Sequence, residues 1–384
     1  MPRTAFVYGP HLQAYNPSAD RERVLRRELG IDLLRAYGLL DHPDVTCHDP
    51  RVATEAELLG VHASEYIAVV KRYSADPTLA DEPEARAWGF QDGDTIAQAG
   101  MHEAAAAVCG SAVTGALEIW EGRAVQAFCP APAGLHHAMA NRATGMCIYN
   151  DAAVAIRALL ERGAERIAYI DVDAHHGNGV QWIFYEDPRV LTVSVHESGR
   201  YLYPGTGGLA ERGVDGAEGT SVNVPLPPFA GDGPYLAAME EIVAPVVRRF
   251  RPDVVVTMTG VDPHHTDPMA HLQVTTGAFP KLYGILRDMV FDASQGRWLI
   301  VTGGGYNIDL LARLWALQLA TMLEVDLPDE LPADWLAGAR ERGGMEFTSS
   351  LLGDTPFEVD EAMRARGDQQ GWETIQAARS LFLS

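Results

Sequence analysis

Residues 167–180 read IAYIDVDAHHGNGV. An apolar run ends abruptly in two carboxylates (Asp171, Asp173), two adjacent imidazoles (His175, His176) and two glycines (Gly177, Gly179). Apolar side chains at consecutive positions mark a strand covered on both faces, as in a parallel sheet flanked by helices. Charged groups at the end of such a strand need partners, because burying them alone is costly. Alternation along an extended chain sets Asp171, Asp173 and His175 on one side, and carboxylates with an imidazole are ready ligands for a divalent cation.

Working outward, similar runs occur at TAFVY from Thr4, AVQAF from Ala124, VLTVSVH from Val190, SVNVPLP from Ser221, DVVVTMTG from Asp253 and RWLIVTGGG from Arg297, with a weaker VTCHD from Val45. Helix-like segments at 19–40, 99–121, 148–162, 232–249, 278–293 and 307–324 separate them. Strands alternating with helices predict an α/β domain around a central, mostly parallel eight-stranded sheet. We expect a single domain over 1–384, with its core at 5–325 and a less readable extension over 326–384.

Of the 384 residues, 47% are hydrophobic and 21% charged, which fits a globular chain and excludes a disordered or collagen-like one. A formal charge of −22 argues against gripping a nucleic-acid backbone. Cys47, Cys109, Cys129 and Cys147 form no CxxC pair, the apolar run before Gly9 is too short for a signal core, and no stretch reads as a membrane span. These features predict a cytoplasmic protein with no membrane partner; the oligomeric state stays open.

The chemistry gathers where apolar runs end. DVVVTMTG runs into VDPHHTDP, bringing Asp262, His264 and His265; WLIVT ends in Gly303, Gly304, Gly305 and Tyr306; QAFCPAPAG leads to His136 and His137. Open parallel sheets build their sites at the carboxyl ends of strands. Asp173, His175 and Asp262 make a three-ligand set with a position left for water and substrate, suited to zinc and also to iron(II), cobalt or manganese. The two imidazoles could divide proton transfer, with Asp171 and Asn178 orienting them, and the Tyr306 phenol could donate to an oxyanion. TGGGYN lacks the lysine and frame of a phosphate loop.

These motifs resemble the zinc-dependent histone deacetylase family of the arginase and deacetylase superfamily, over about residues 5–325. GLHHA, TGMCIYND, DVDAHHGNGVQ, SVHESGRYLYPGTG, GVDPHHTDP and GGGY stand in the family's order. The sequence is most similar to the bacterial acetoin-utilisation branch. The resemblance implies zinc on Asp173, His175 and Asp262, His137 as general base and then acid, and His136 as its electrostatic partner. It also implies Asp171 orienting His136, Asn178 orienting His137, and Tyr306 polarising the amide carbonyl with Gly304 beside it. Asp94 would anchor substrate backbone at the rim, and Gly145, Met146, Tyr203 and Met269 would line an acyl-lysine tunnel. Asp171, Asp173, His175, Ser194 and the Val195 backbone would hold a structural potassium ion.

The expected activity is therefore metal-dependent removal of acetyl or other acyl groups from protein lysines, with an acyl-CoA synthetase as the partner that acetoin-type relatives suggest. Met146 stands where many members carry phenylalanine, and Asn178 where some carry aspartate. An acetylpolyamine amidohydrolase would use the same residues. A two-manganese ureohydrolase would need further carboxylates, and a non-catalytic acyl-lysine binder would need no imidazole pair.

Overall fold

All eight apolar runs form strands: β1 (Thr4–Val7), β2 (Val45–His48), β3 (Gln126–Cys129), β4 (Ile167–Asp171), β5 (Val190–Glu197), β6 (Ser221–Leu226), β7 (Val254–Thr259) and β8 (Trp298–Thr302). The computed structural model describes residues 3–81, 83–91, 94–130, 134–344, 349–354 and 360–383. The strands make one sheet in the order β2-β1-β3-β8-β7-β4-β5-β6. Every pairing is parallel.

Successive residues face opposite layers, as strand geometry requires. Phe6, Phe128 and Ile170 join one core with Trp298 and Trp315, beneath helices Arg21–Ala36, Phe279–Ser294 and Leu311–Leu323. Ala5, Ala127 and Tyr169 join the other, against helices Ser64–Ala75, Met101–Trp120 and Asp151–Glu161. Only the edge strand β2 is half exposed, which is why its sequence signal is weak.

The predicted helices shift at their ends for local reasons. The expected 148–162 segment starts at Asp151, because the Asn150 side chain accepts from the Ala153 N–H (3.0 Å) and caps it there. The expected 232–249 segment is interrupted by a π turn at Ala238–Val243, just before Pro245, whose missing N–H and ring break the α ladder.

Beyond residue 325 the chain forms helices Ala333–Gly343 and Glu361–Phe382. The second is capped by Asp360 and packs on the edge strand β6 and helix Asp232–Ala237. It buries Gly367, Gly371, Ile375, Ala378 and Phe382, a stripe too poor in large apolar residues to stand out in the sequence. Among the described residues no helix is long and apolar enough to cross a membrane.

A Cβ at Gly367 would lie 2.5 Å from the Phe229 backbone carbon, whereas one at Gly338, in the preceding helix, would meet nothing within 4 Å. Alanine gains up to about 1 kcal/mol over glycine inside a helix, and an overpacked contact loses about 1–3 kcal/mol. Urea unfolding should therefore show Gly338→Ala stabilised and Gly367→Ala destabilised; equal shifts would mean that the terminal helix is not seated on Phe229.

Candidate active site

The sheet order makes β3, β8, β7 and β4 neighbours, so the loops leaving their carboxyl ends converge. These loops carry His136 and His137, Gly303–Tyr306, Asp262, and Asp173 with His175, respectively.

β4 ends at Asp171, and beyond it the chain descends in two side-chain-to-backbone turns. Asp171 Oδ1 accepts from the Asp173 N–H (3.1 Å), and Asp173 Oδ1 from the His175 N–H (2.9 Å). The simple alternation expected from the sequence stops there. Asp171 turns toward His136, while Asp173 and His175 meet Asp262. His175 Nδ1 lies 3.1 Å from Asp173 Oδ1 and 2.9 Å from Asp262 Oδ2, and the ligand atoms of all three lie within 4.8 Å of one another.

Backbone donors hold the remaining carboxylate oxygens. The Gly304 N–H donates to Asp173 Oδ2 (2.6 Å), and the Ala174 N–H to Asp262 Oδ1 (2.8 Å). A Cβ at Gly304 would come within 2.3 Å of Asp262 Oδ2, so only glycine lets this backbone reach the cluster. Burial and Asp173 push the Asp262 carboxyl up, while the two carboxylates outweigh burial at His175 and hold its imidazole well above its ordinary range. Two buried carboxylate oxygens and an imidazole nitrogen fit a divalent cation in both chemistry and charge.

The imidazole pair stands beside this cluster, with His136 and His137 ring centroids 4.0 Å apart and those of His137 and His175 5.9 Å apart. Both rings of the pair are buried. His136 Nδ1 pairs with Asp171 Oδ2 at 2.8 Å, and Tyr169 OH donates to the same oxygen (2.6 Å). Burial opposes charge on His136, but Asp171 and then Asp173 outweigh it and push the ring up to about 9. His137 Nδ1 donates instead to Asn178 Oδ1 (2.7 Å). Burial first, and then His136 and His175, hold His137 well below the usual imidazole range. It is neutral near pH 7, with the lone pair on Nε2.

Tyr306 lies across the cluster, its ring centroid 6.4 Å from that of His175. Two residues that the sequence reading passed over fix it. Asp267 Oδ2 accepts from the Tyr306 N–H (2.7 Å) while its Oδ1 accepts from the Met269 N–H (2.9 Å). Arg26 stacks over the Tyr306 ring at 5.3 Å and donates to the Gly305 carbonyl. Asp267 could have been suspected from the second carboxylate in VDPHHTDP; nothing local marks Arg26 or Tyr169.

Gly145, at φ +55°, lies so close to His137 that a Cβ would meet the ring at 2.4 Å. The Tyr203 ring stands edge-on to His137 with centroids 5.0 Å apart, and its hydroxyl bonds Thr144. Met146 is tied on both sides, its carbonyl accepting from Tyr15 OH (2.7 Å) and its N–H donating to Thr95 Oγ1 (3.0 Å). The Thr95 hydroxyl in turn donates to Asp94 Oδ1 (2.9 Å), linking Asp94 to the Met146 turn. Tyr203 and Met269 are 42% and 44% exposed. Ser194 sits opposite Asp171 in the β4–β5 register, next to Val195, and its hydroxyl bonds His196 Nδ1 (2.8 Å).

The histone deacetylase domain model matches residues 20–322. The chain is 38% identical over 352 residues to the acetoin utilization protein AcuC of Bacillus subtilis (strain 168), covering 90% of this chain and 89% of that protein. It is 35% identical over 336 residues to AcuC of Staphylococcus xylosus, covering 87% and 86%. The crystal structure of a histone deacetylase homologue from Aquifex aeolicus superposes with a TM-score of 0.83 at 27% identity, over 98% of this chain and 100% of that one. With a sheet, a loop order and a sequence that all agree with these relatives, the chain belongs to the histone deacetylase family and is a deacetylase, a hydrolase.

Proposed function

We propose that this deacetylase acts in the cytoplasm on acetylated lysine side chains of proteins, with Asp173, His175 and Asp262 holding the divalent metal ion, zinc in the first instance and iron(II) or cobalt on the same donors. The observation that carries the reading is the division of the imidazole pair, His136 on a carboxylate and His137 on an amide. A ligand-binding protein has no use for one charged and one neutral imidazole stacked beside the same cluster.

A divalent cation held there polarises an amide carbonyl and makes water a stronger acid. The rest falls to the chain. Neutral His137 accepts the proton of the attacking water at Nε2, because Nδ1 is committed to Asn178. His136, kept charged by Asp171, stabilises negative charge as it develops. The Tyr306 phenol donates to the oxyanion from the opposite side, and His137 returns its proton to the departing amine. Asp267 and Arg26 are positioning residues for Tyr306.

Gly145, Met146 and Tyr203 would line the passage for the lysine stem, with Asp94 and Met269 at the rim. Methionine in place of an aromatic ring makes that wall deformable. Asp171, Asp173, His175, Ser194 and Val195, at the ends of β4 and β5, would hold a structural potassium ion. The resemblance to the acetoin-utilisation branch implies an acyl-CoA synthetase as the protein substrate.

His137→Ala should lower kcat by about 10²–10⁴-fold, and Tyr306→Phe by about 10²–10³-fold with KM little changed. Acetate release measured on metal-loaded protein checks both; wild-type turnover in either variant would remove that residue from the mechanism.

In a direct competition, an acetyl-lysine peptide should be hydrolysed with the higher kcat/KM. Preference for acetylspermidine would assign the enzyme to polyamines instead, and binding without acetate release over many equivalents would make it a binding protein.

A further inference from the structure

The loop after Asp262 carries two more imidazoles that deacetylation does not use. His264 and His265 lie with ring centroids 4.3 Å apart, facing Asp354 from the distant stretch 349–354. That stretch is anchored independently of them. The Ser349 N–H donates to Asp309 Oδ2 (2.9 Å), the Leu352 N–H to the Asp329 carbonyl (2.7 Å), and Arg313 to the carbonyls of Leu352 (3.2 Å) and Gly353 (2.9 Å). Asp354 Oδ1 is 3.0 Å from His264 Nε2, and Oδ2 is 3.8 Å from His265 Nε2. Thr276 Oγ1 stands 3.1 Å from His264 Nε2 and donates to Asp354 Oδ1 (2.6 Å), while its N–H donates to Oδ2 (2.7 Å). Among the described residues, only this group and the Asp173, His175, Asp262 cluster bring three potential metal-ligating side chains together within 4.8 Å.

We propose that His264, His265 and Asp354 bind a second divalent transition-metal ion, separate from the catalytic cluster. One ligand atom from each of the three side chains lies within 4.8 Å of the others, and the two Asp354 oxygens approach the two imidazoles separately, Oδ1 at 3.0 Å from His264 Nε2 and Oδ2 at 3.8 Å from His265 Nε2. Two imidazole nitrogens and one carboxylate oxygen suit zinc, cobalt or nickel rather than magnesium or calcium. The His264 side chain is fully buried, whereas those of His265 and Asp354 are 8% and 17% exposed, so the group is dry on one side and open to an entering ion on the other.

The outer contacts of His264 define two states. With Nδ1–H donating to Thr266 Oγ1 (2.9 Å), Nε2 turns its lone pair toward Asp354, the usual arrangement behind a metal-bound imidazole. With Nδ1 accepting from the Thr266 N–H (3.2 Å), a proton takes the place of the metal between Nε2 and Asp354. Thr276 Oγ1 or water completes the four-coordinate shell. The bound ion would staple stretch 349–354 onto the loop that leaves β7, from outside the catalytic cavity.

Chelator-stripped full-length protein, equilibrated with Zn2+ or with Co2+ and analysed for metal per chain, tests this without reference to turnover. The wild type should bind two equivalents, and His265→Asn and Asp354→Asn one each. The double variant Asp173→Asn with Asp262→Asn should keep one, and its melting temperature should rise with added Zn2+. Adding His265→Asn to that double variant should abolish both the binding and the rise. No metal in the Asp173, Asp262 double variant, or as much metal in His265→Asn as in the wild type, would overturn the proposal. A failed catalytic reading would leave this second equivalent untouched, which keeps the two claims apart.

Discussion

Two buried carboxylates in one dry cavity need positive charge beside them. Asp173 and Asp262 are in that position, each fully buried and each within reach of His175 Nδ1. The surrounding backbone answers part of the demand through the N–H groups of Gly304 and Ala174. A divalent cation would answer the rest. The sheet order serves this constraint, since setting β8 and β7 between β3 and β4 brings loops from distant parts of the chain to the same place.

Around the cluster, partners rather than residue types decide function. His136 and His137 are chemically identical neighbours, yet the carboxylates facing His136 push it up while burial and the adjacent imidazoles hold His137 down. Asn178 fixes the orientation of His137, while burial and the neighbouring His136 and His175 hold its imidazole low. Tyr306 shows the same logic through the backbone. Asp267 holds its N–H and that of Met269, so one carboxylate fixes both backbone positions.

The sheet was legible because several strands are apolar at successive positions, the pattern of strands covered on both faces. The clusters at strand ends were legible because charge there has no other use. What the sequence concealed depends on contacts between distant segments. Tyr169 looks like another core residue until its hydroxyl is found on Asp171, and Arg26 reads as a surface helix position although it lies over Tyr306. The terminal helix buries two glycines and an alanine beside Ile375 and Phe382, too few large apolar residues to give a clear hydrophobic period. Alternation failed past Asp171 because side-chain-to-backbone turns replace the extended chain.

The central claim is that Asp173, His175 and Asp262 grip one metal ion. Anomalous diffraction at the zinc edge, from crystals of the full chain grown with Zn2+, measures this most directly. The account predicts a peak bounded by His175 Nδ1 and the two carboxylates at about 2.0–2.2 Å. A map with no peak among those three side chains, in protein that nevertheless releases acetate, would contradict it.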